Sequence, residues 1–326
     1  MLKVLSATLV ALVIGMVAGP RFIRWLSRRG IGQNIRELGP EGHSAKAGTP
    51  TMGGLLLLAA TLIPYLIFAT KTVPTLVVMI LALGGGVIGF ADDFISQWRQ
   101  RSLGLSARFK LLLMVPVFGV ALWLATEYGG VDTRLSVPFV RDGLEIGWLY
   151  YIFAFLFIVG FTNAVNLTDG LDGLAAGTAG IALFAYAGIA FLQGKYDLAT
   201  LGACFTGACV GFLWYNTHPA TVFMGDTGAL ALGGAVAGMA IATNMEILLL
   251  LVGGLFVVEA LSVTIQVFSF RVFHRRVFLM APIHHHFELK GWSETKIIVR
   301  FWIVSAILAA AGFALYYLSN TRIPGG

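Results

Sequence analysis

Charged side chains are scarce in this chain. They make up 12% of its 326 residues, against about 25% in ordinary soluble proteins, while 58% are hydrophobic and the mean hydropathy is +0.85. That balance excludes a soluble globular domain. Cysteine is nearly absent. Cys204 and Cys209 lie in one apolar run, five residues apart and so on different faces of a helix, which suits packing and excludes a disulfide framework or zinc knuckle. There is no Walker lysine motif, which argues against a P-loop ATPase, and no basic stripe clear of the apolar runs, so nucleic acid is not an expected partner. No small-x-small cleavage site follows the first apolar run, and its basic cluster (Arg21, Arg24, Arg28, Arg29) trails the run rather than preceding it. The segment reads as a retained helix, not a signal peptide. Low-complexity sequence and internal repeats are missing as well.

What recurs instead is apolar runs of about 20 residues, the length needed to cross a bilayer as a helix. About ten spans are expected, over 2–25, 51–70, 75–94, 109–126, 147–165, 173–192, 198–215, 228–243, 246–270 and 299–319. The fold class is therefore all-α, a polytopic bundle forming a single integral-membrane domain over 1–326. Sixteen of the 22 Lys+Arg fall on the first, third and ninth connections. By the positive-inside rule the odd-numbered connections are cytoplasmic and both termini are extracytoplasmic. The polar motifs at 46–54, 92–93, 163–173, 216–228 and 284–286, with all six histidines, then share the cytoplasmic side. Scattered structural polar residues would divide between faces, so one cytoplasmic site is expected. The net charge of +6 suits phosphates and acidic lipid headgroups.

Asp92 and Asp93 end an uninterrupted run of apolar residues and glycine, where carboxylates are expensive and point to function. Acids near a helix C-terminus also oppose the macrodipole, so local stability does not explain them. A divalent cation does, since magnesium takes oxygen ligands and keeps waters and substrate phosphates. Asn163, Asn166, Asp169 and Asp172 recur at steps of three, along one slowly drifting face if helical, and Gly170 and Gly173 suggest a break there. Amides and carboxylates of this kind read the donors and acceptors of a sugar or base. Asp226 lies between Gly225 and Gly228 at the start of the eighth span, either as an N-cap or as a third metal-facing carboxylate. His284-His285-His286 suggests a transition metal, but consecutive residues do not converge on one ion in regular structure. The surrounding acids favour a hard metal, leaving the histidines to bind phosphate or substrate. Gly84–Gly89 fits G-x-G-x-x-G yet lies inside a span, so helix packing is the better reading. Gly15/Gly19, Gly207/Gly211 and Gly234/Gly238 are small-xxx-small packing pairs.

Ala47–Gly54, Ala91–Phe94, Asn163–Leu174, Phe223–Gly228 and Ala281–Glu288, in this order and over nearly the whole chain, resemble the phospho-N-acetylmuramoyl-pentapeptide transferase family, within the polyprenyl-phosphate sugar-1-phosphate transferases. The resemblance implies a bacterial inner-membrane enzyme of peptidoglycan synthesis, and so of cell wall, cell shape and cell division. It would move phospho-MurNAc-pentapeptide from UDP-MurNAc-pentapeptide to undecaprenyl phosphate, giving lipid I and UMP, with Mg2+ as cofactor. It also implies a lipid groove beside a broken ninth helix, and a homodimer is among the expected assemblies. Carried over by position, Asp92, Asp93, Asp226 and His285 are catalytic, and Asp226 is the leading magnesium ligand, with Asp92 and Asp93 beside it. Substrate contacts fall on Lys46, Thr51, Asn163, Asn166, Asp169, Gly170, Asp172, Asn216, Phe223, Gly225, Gln266, Ala281, His284, His286, Arg108 and Lys110. Ser96 stands where family members often carry a basic residue, so that phosphate contact must come from elsewhere, such as Arg101, Arg108 or Lys110.

Chemically, an anionic lipid phosphate must approach a pyrophosphate, and magnesium with Lys46, Arg108 and Lys110 offsets the repulsion. Either an aspartate deprotonates the lipid phosphate for direct attack, with Asp92 the preferred base, or an aspartate itself attacks to form a phospho-enzyme. A secondary transporter is the rival class, with Glu259, Ser262 and Gln266 on one face of the ninth span. It fits less well, because the polar clusters gather at one face and no inverted repeat is visible.

Overall fold

The structure, a computed structural model, describes residues 1–32, 48–100, 104–140 and 142–321. Lys46, Arg101 and His43 lie outside the described residues. Twelve helices and one two-stranded hairpin make up the described elements. In chain order the helices are α1 (Leu2–Arg28), α2 (Gly54–Phe68), α3 (Val73–Trp98), α4 (Ala107–Glu127), α5 (Leu149–Thr168), α6 (Leu174–Leu192), α7 (Tyr196–Asn216), α8 (Gly225–Ala242), α9 (Glu246–Val252), α10 (Gly254–Phe273), α11 (Ile283–Leu289) and α12 (Glu294–Thr321). Strands Arg134–Leu135 and Leu144–Glu145 pair antiparallel in the connection before α5.

Among the described residues nine helices are long and apolar enough to cross a membrane, and α2 is a shorter apolar helix of 15 residues. The chain is an all-α, multi-pass membrane protein. The ninth apolar run is broken at Gly253 into α9 and α10, and the connection after it holds the short helix α11. The tenth span begins at Glu294, five residues before the apolar run starts at Val299, because the first turn of α12 is amphipathic.

Helix α8 is the centre of the bundle, with every residue from Thr227 to Ala242 buried. Most of them are glycine or alanine, which lets neighbouring backbones come close and gain dispersion contacts that lipid tails do not supply. Gly234 and Gly238 take α3 at Leu81 and Val78, and Gly85 of α3 takes the Leu230 carbonyl of α8. The Gly84–Gly89 run is thus a packing surface, as its place inside a span implied. Gly15 and Gly211 bring α1 against α7 in the same way, and the Tyr215 hydroxyl donates to Met16 O at 2.5 Å across that seam. Cys204 and Cys209 are free and buried in the packing of α7.

The alternation of spans gathers the polar motifs at one end of the bundle. The other end is closed by side chains that satisfy helix-terminal carbonyls: Lys195 donates to Ala242 O at 2.8 Å and Gln193 to Thr243 O at 2.9 Å. The outer face of α10, including Leu261, Ile265 and Phe268, is exposed and apolar, the surface expected against lipid acyl chains.

Candidate active site

At the motif-bearing end, Asp92 and Asp93 project from α3 and Asp226 from the first turn of α8. Ligand oxygens of the three lie within 4.8 Å of one another. Close helix packing brings them there. A side-chain carbon at Gly89 would overlap the Asp226 carbonyl, so only glycine permits this approach of α3 to α8. Asp93 then caps α8 from outside: its Oδ1 accepts the Asp226 N–H at 3.1 Å, and its Oδ2 accepts the Thr227 N–H at 3.0 Å and hydroxyl at 2.6 Å. The α8 N-cap residue, Met224, has no capping side chain, so Asp93 meets both the orphan N–H groups and the positive end of the helix dipole. The Asp226 carboxylate is thereby not spent on capping.

Lys110, one turn into α4, bridges two of the acids, with Nζ 3.1 Å from Asp92 Oδ1 and 2.5 Å from Asp226 Oδ2. Asp92 Oδ1 also accepts the Leu105 N–H at 2.6 Å, which ties the start of α4 to α3. Arg108 is exposed on the same first turn. Thr51 is buried beside this group. The segment around it is stitched to the α8 entrance by Phe223 N–H to Pro50 O at 2.7 Å and Gly53 N–H to Phe223 O at 2.8 Å. Gly225 has φ +70, and a side chain there would crowd Asp93 Oδ2 and Thr51 Oγ1. The donor set suits a hard divalent cation: three carboxylates from two helices, no sulfur, and an ammonium now offsetting their mutual repulsion.

The Asn163–Asp172 series does not stay on one face. Asn163 and Asn166 are on α5, Asp169 follows its last residue, and Gly173, at φ +80, is the N-cap before α6. Asn163 is exposed and donates back to Val159 O at 2.8 Å. Asp172 turns inward to a second cluster. Its Oδ2 lies 3.1 Å from His218 Nδ1 and accepts the Ala220 N–H at 3.0 Å. Its N–H donates to Glu294 Oε1 at 2.9 Å, while Glu294 Oε2 lies 3.2 Å from His218 Nδ1. Sequence spacing held no signal for this group, since Glu294 is 122 residues from Asp172. Asn216 is buried and donates to Val222 O at 2.9 Å, shaping the turn that carries His218.

The three histidines of α11 point in three directions, as consecutive helical residues must. His284 is fully buried, with Nδ1 3.1 Å from Glu259 Oε1 of α10. His285, partly exposed, sets Nδ1 2.5 Å from Glu288 Oε2. His286 accepts the Leu279 N–H at Nδ1, 3.1 Å. Burial first and nearby Lys290 second push His286 below the ordinary imidazole value, in keeping with that acceptor role. Gln266 clamps the chain before α11: its Oε1 accepts the N–H groups of Val277 at 3.0 Å and Phe278 at 2.9 Å, and its Nε2 donates to Phe278 O at 3.0 Å. Ala281 and Phe223 are partly buried at this end.

Clustered acids and a lysine at one end of an apolar helical bundle make this a multi-pass membrane protein with a site able to hold a metal, and its class is transferase: residues 74–244 match the family model described as glycosyl transferase family 4. Residues 46–58 match phospho-N-acetylmuramoyl-pentapeptide-transferase signature 1. The chain is 48% identical over 323 residues to the phospho-N-acetylmuramoyl-pentapeptide-transferase of Rubrobacter xylanophilus, covering 97% of this chain and 98% of that one. It is 46% identical over 327 residues to that of Desulfitobacterium hafniense, covering 96% and 98%, and 46% identical over 310 residues to that of a Geobacillus species, covering 94% and 95%. The chain belongs to the phospho-N-acetylmuramoyl-pentapeptide-transferase family, and so to the membrane transferases of peptidoglycan synthesis.

Proposed function

We propose that this protein transfers phospho-MurNAc-pentapeptide from UDP-MurNAc-pentapeptide to undecaprenyl phosphate, giving lipid I and UMP, on the cytoplasmic face of the bacterial inner membrane. The observation that carries this reading is the meeting of Asp92, Asp93 and Asp226 with Lys110 at the motif-bearing end. An oxygen of the lipid phosphate bonds to the sugar-linked phosphorus, the bond from that phosphorus to the bridging oxygen breaks, and UMP leaves with the bridging oxygen.

Asp226, with Asp92 and Asp93, would hold Mg2+. When bound there, it neutralises pyrophosphate charge and so lowers the barrier to phosphoryl transfer. Lys110 is placed to swing from the carboxylates to a phosphate oxygen once their charge is otherwise balanced. Asp93 keeps α8 in place through its three donors, so that Asp226 stays aimed at the reacting groups. Asp92 serves as base in direct attack. Arg108 and His285 contact phosphate, while Asn163, Asn166, Asp169, Gly170, Thr51, Phe223 and Gly225 form the nucleotide-sugar pocket. Lys46 belongs to the same pocket by its motif. Asp172, Asn216, Gln266, His284 and His286 act as its wall, through the internal bonds described above, and Ala281 lies in the same wall. The lipid tail runs along the exposed apolar face of α10, beside the break at Gly253.

Purified protein given labelled UDP-MurNAc-pentapeptide, magnesium and undecaprenyl phosphate should release UMP and form a pyrophosphate-linked lipid. Vesicle uptake of the nucleotide sugar without UMP release would favour a transporter instead.

A further inference from the structure

Glu259 is fully buried in α10, an apolar helix where a carboxylate is expensive to keep. Both of its oxygens face α11. Oε2 accepts the N–H of Ile283, the first residue of α11, at 2.9 Å, and Oε1 stands 3.1 Å from His284 Nδ1, within ion-pair range though off the line of a hydrogen bond. The far edge of the His284 ring lies against Gly170, where any side-chain carbon would overlap Nε2. One buried imidazole therefore joins α10 to the α5–α6 loop that carries Asp169 and Asp172.

Helix α11 has seven residues, too few to be stable without tertiary contacts. Its C-terminal half is held by apolar packing of Phe287 against Trp292 and Phe301. Such packing is non-directional and fixes distance better than rotation. Hydrogen bonds are directional, and at the N-terminal end Glu259 accepts one from the Ile283 N–H while its other oxygen faces His284. The rotation of α11 decides where His285, the next residue, points.

We propose that Glu259 is a positioning residue for the transfer reaction: through Ile283 N–H and His284 it fixes the orientation of α11, and with it the place of His285 and of the Gly170 loop. This rests on the function proposed above, in which His285 contacts phosphate. Glu259→Gln keeps the size of the side chain and an acceptor for the Ile283 N–H, but removes the negative charge that faces His284.

The test uses full-length protein in detergent, comparing wild type with Glu259→Gln and Glu259→Ala. Diethyl pyrocarbonate labelling read by peptide mass should spare His284 in wild type and modify it in both variants. For turnover, Glu259→Gln should lower kcat about tenfold while the KM for the nucleotide sugar stays within about twofold, because orientation at the reacting phosphate is lost rather than nucleotide affinity. Glu259→Ala should fall further. Should Glu259→Ala not fold, the Gln variant decides alone. A Gln variant with kcat within about twofold of wild type, or with His284 still protected, overturns the proposal. If wild-type protein releases no UMP, the transfer reading fails by itself, and the labelling still judges Glu259.

Discussion

Gly89 of α3 sits directly against the main-chain carbonyl of Asp226 at the start of α8, with no room for a methyl group between them. The contact sets the distance between the acids of the two helices. The bundle thus builds its acidic site from a packing rule: two glycine-rich helix faces close tightly, and carboxylates one turn further along are drawn together. Gly89→Ala should part α3 from α8 locally. The expected cost is about 1–3 kcal/mol of stability, typical of overpacking a tight interface. Thermal unfolding in detergent and UMP release should both fall, and a variant matching wild type in both would show that the approach is slack.

Lys110 now neutralises part of the charge of Asp92 and Asp226. Without it the carboxylates repel one another, and a divalent cation should become the main source of relief. Lys110→Gln is therefore expected to unfold more easily than wild type in the absence of magnesium, yet to gain more thermal stability when magnesium is added, since ligand stabilisation grows with the logarithm of affinity for the folded state. Asp226→Asn should show the opposite response, with little magnesium-induced shift and no turnover. An equal magnesium shift in wild type, Lys110→Gln and Asp226→Asn would remove this cluster from the metal site.

Much of the architecture was legible because hydropathy and glycine spacing are local signals. The ten apolar runs, the tight seams at Gly15, Gly207 and Gly234, and the divergence of the three histidines all follow from period and chain direction. Side-chain partners across elements did not show. The step-of-three pattern gave Asn163 through Asp172 a shared face only if helical, with a break expected at Gly170 and Gly173; the helix ends at Thr168, and the turn of Asp172 to His218 and Glu294 had no signal in the spacing. Gln266 of α10 gives its amide to the chain just before α11, a contact from the ninth span to the connection after it that no periodicity encodes. Glu259, which fitted only the rival transporter reading, accepts the Ile283 N–H at the start of α11 and faces His284.

Orientation in the membrane rests on the charge asymmetry, with sixteen of 22 Lys+Arg on the odd connections. A cysteine at Asp132, beside Asn244 at the end of the bundle away from the acids, should react with an impermeant thiol reagent in intact cells. One at Gln100, just after α3, should react only after the membrane is opened. The reverse pattern would invert the topology and move the acidic cluster to the outer face.

The sugar that is transferred is the sharpest question for solution work. Asp92, Asp93 and Asp226 do not decide it, because carboxylates and a metal act on the pyrophosphate and not on the sugar. Discrimination must come from groups that meet the peptidyl sugar beyond the uridine. In the reading proposed above, the chain before α11, pinned by Gln266 and Glu259, would form that wall, with His286 on its partly exposed face and His285 beside it at the phosphate. A pre-set polar wall of this kind favours a large polar substrate, since it offers contacts that a smaller sugar does not reach. In a competition between UDP-MurNAc-pentapeptide and UDP-GlcNAc, with undecaprenyl phosphate and magnesium present, the lipid product read by mass should carry the muramoyl pentapeptide. His285→Ala should lower the rate with both kcat and kcat/KM reduced together, the signature of a contact made in the transition state. A GlcNAc-phospholipid as main product would remove the sugar assignment while leaving the transfer chemistry at the acidic cluster in place.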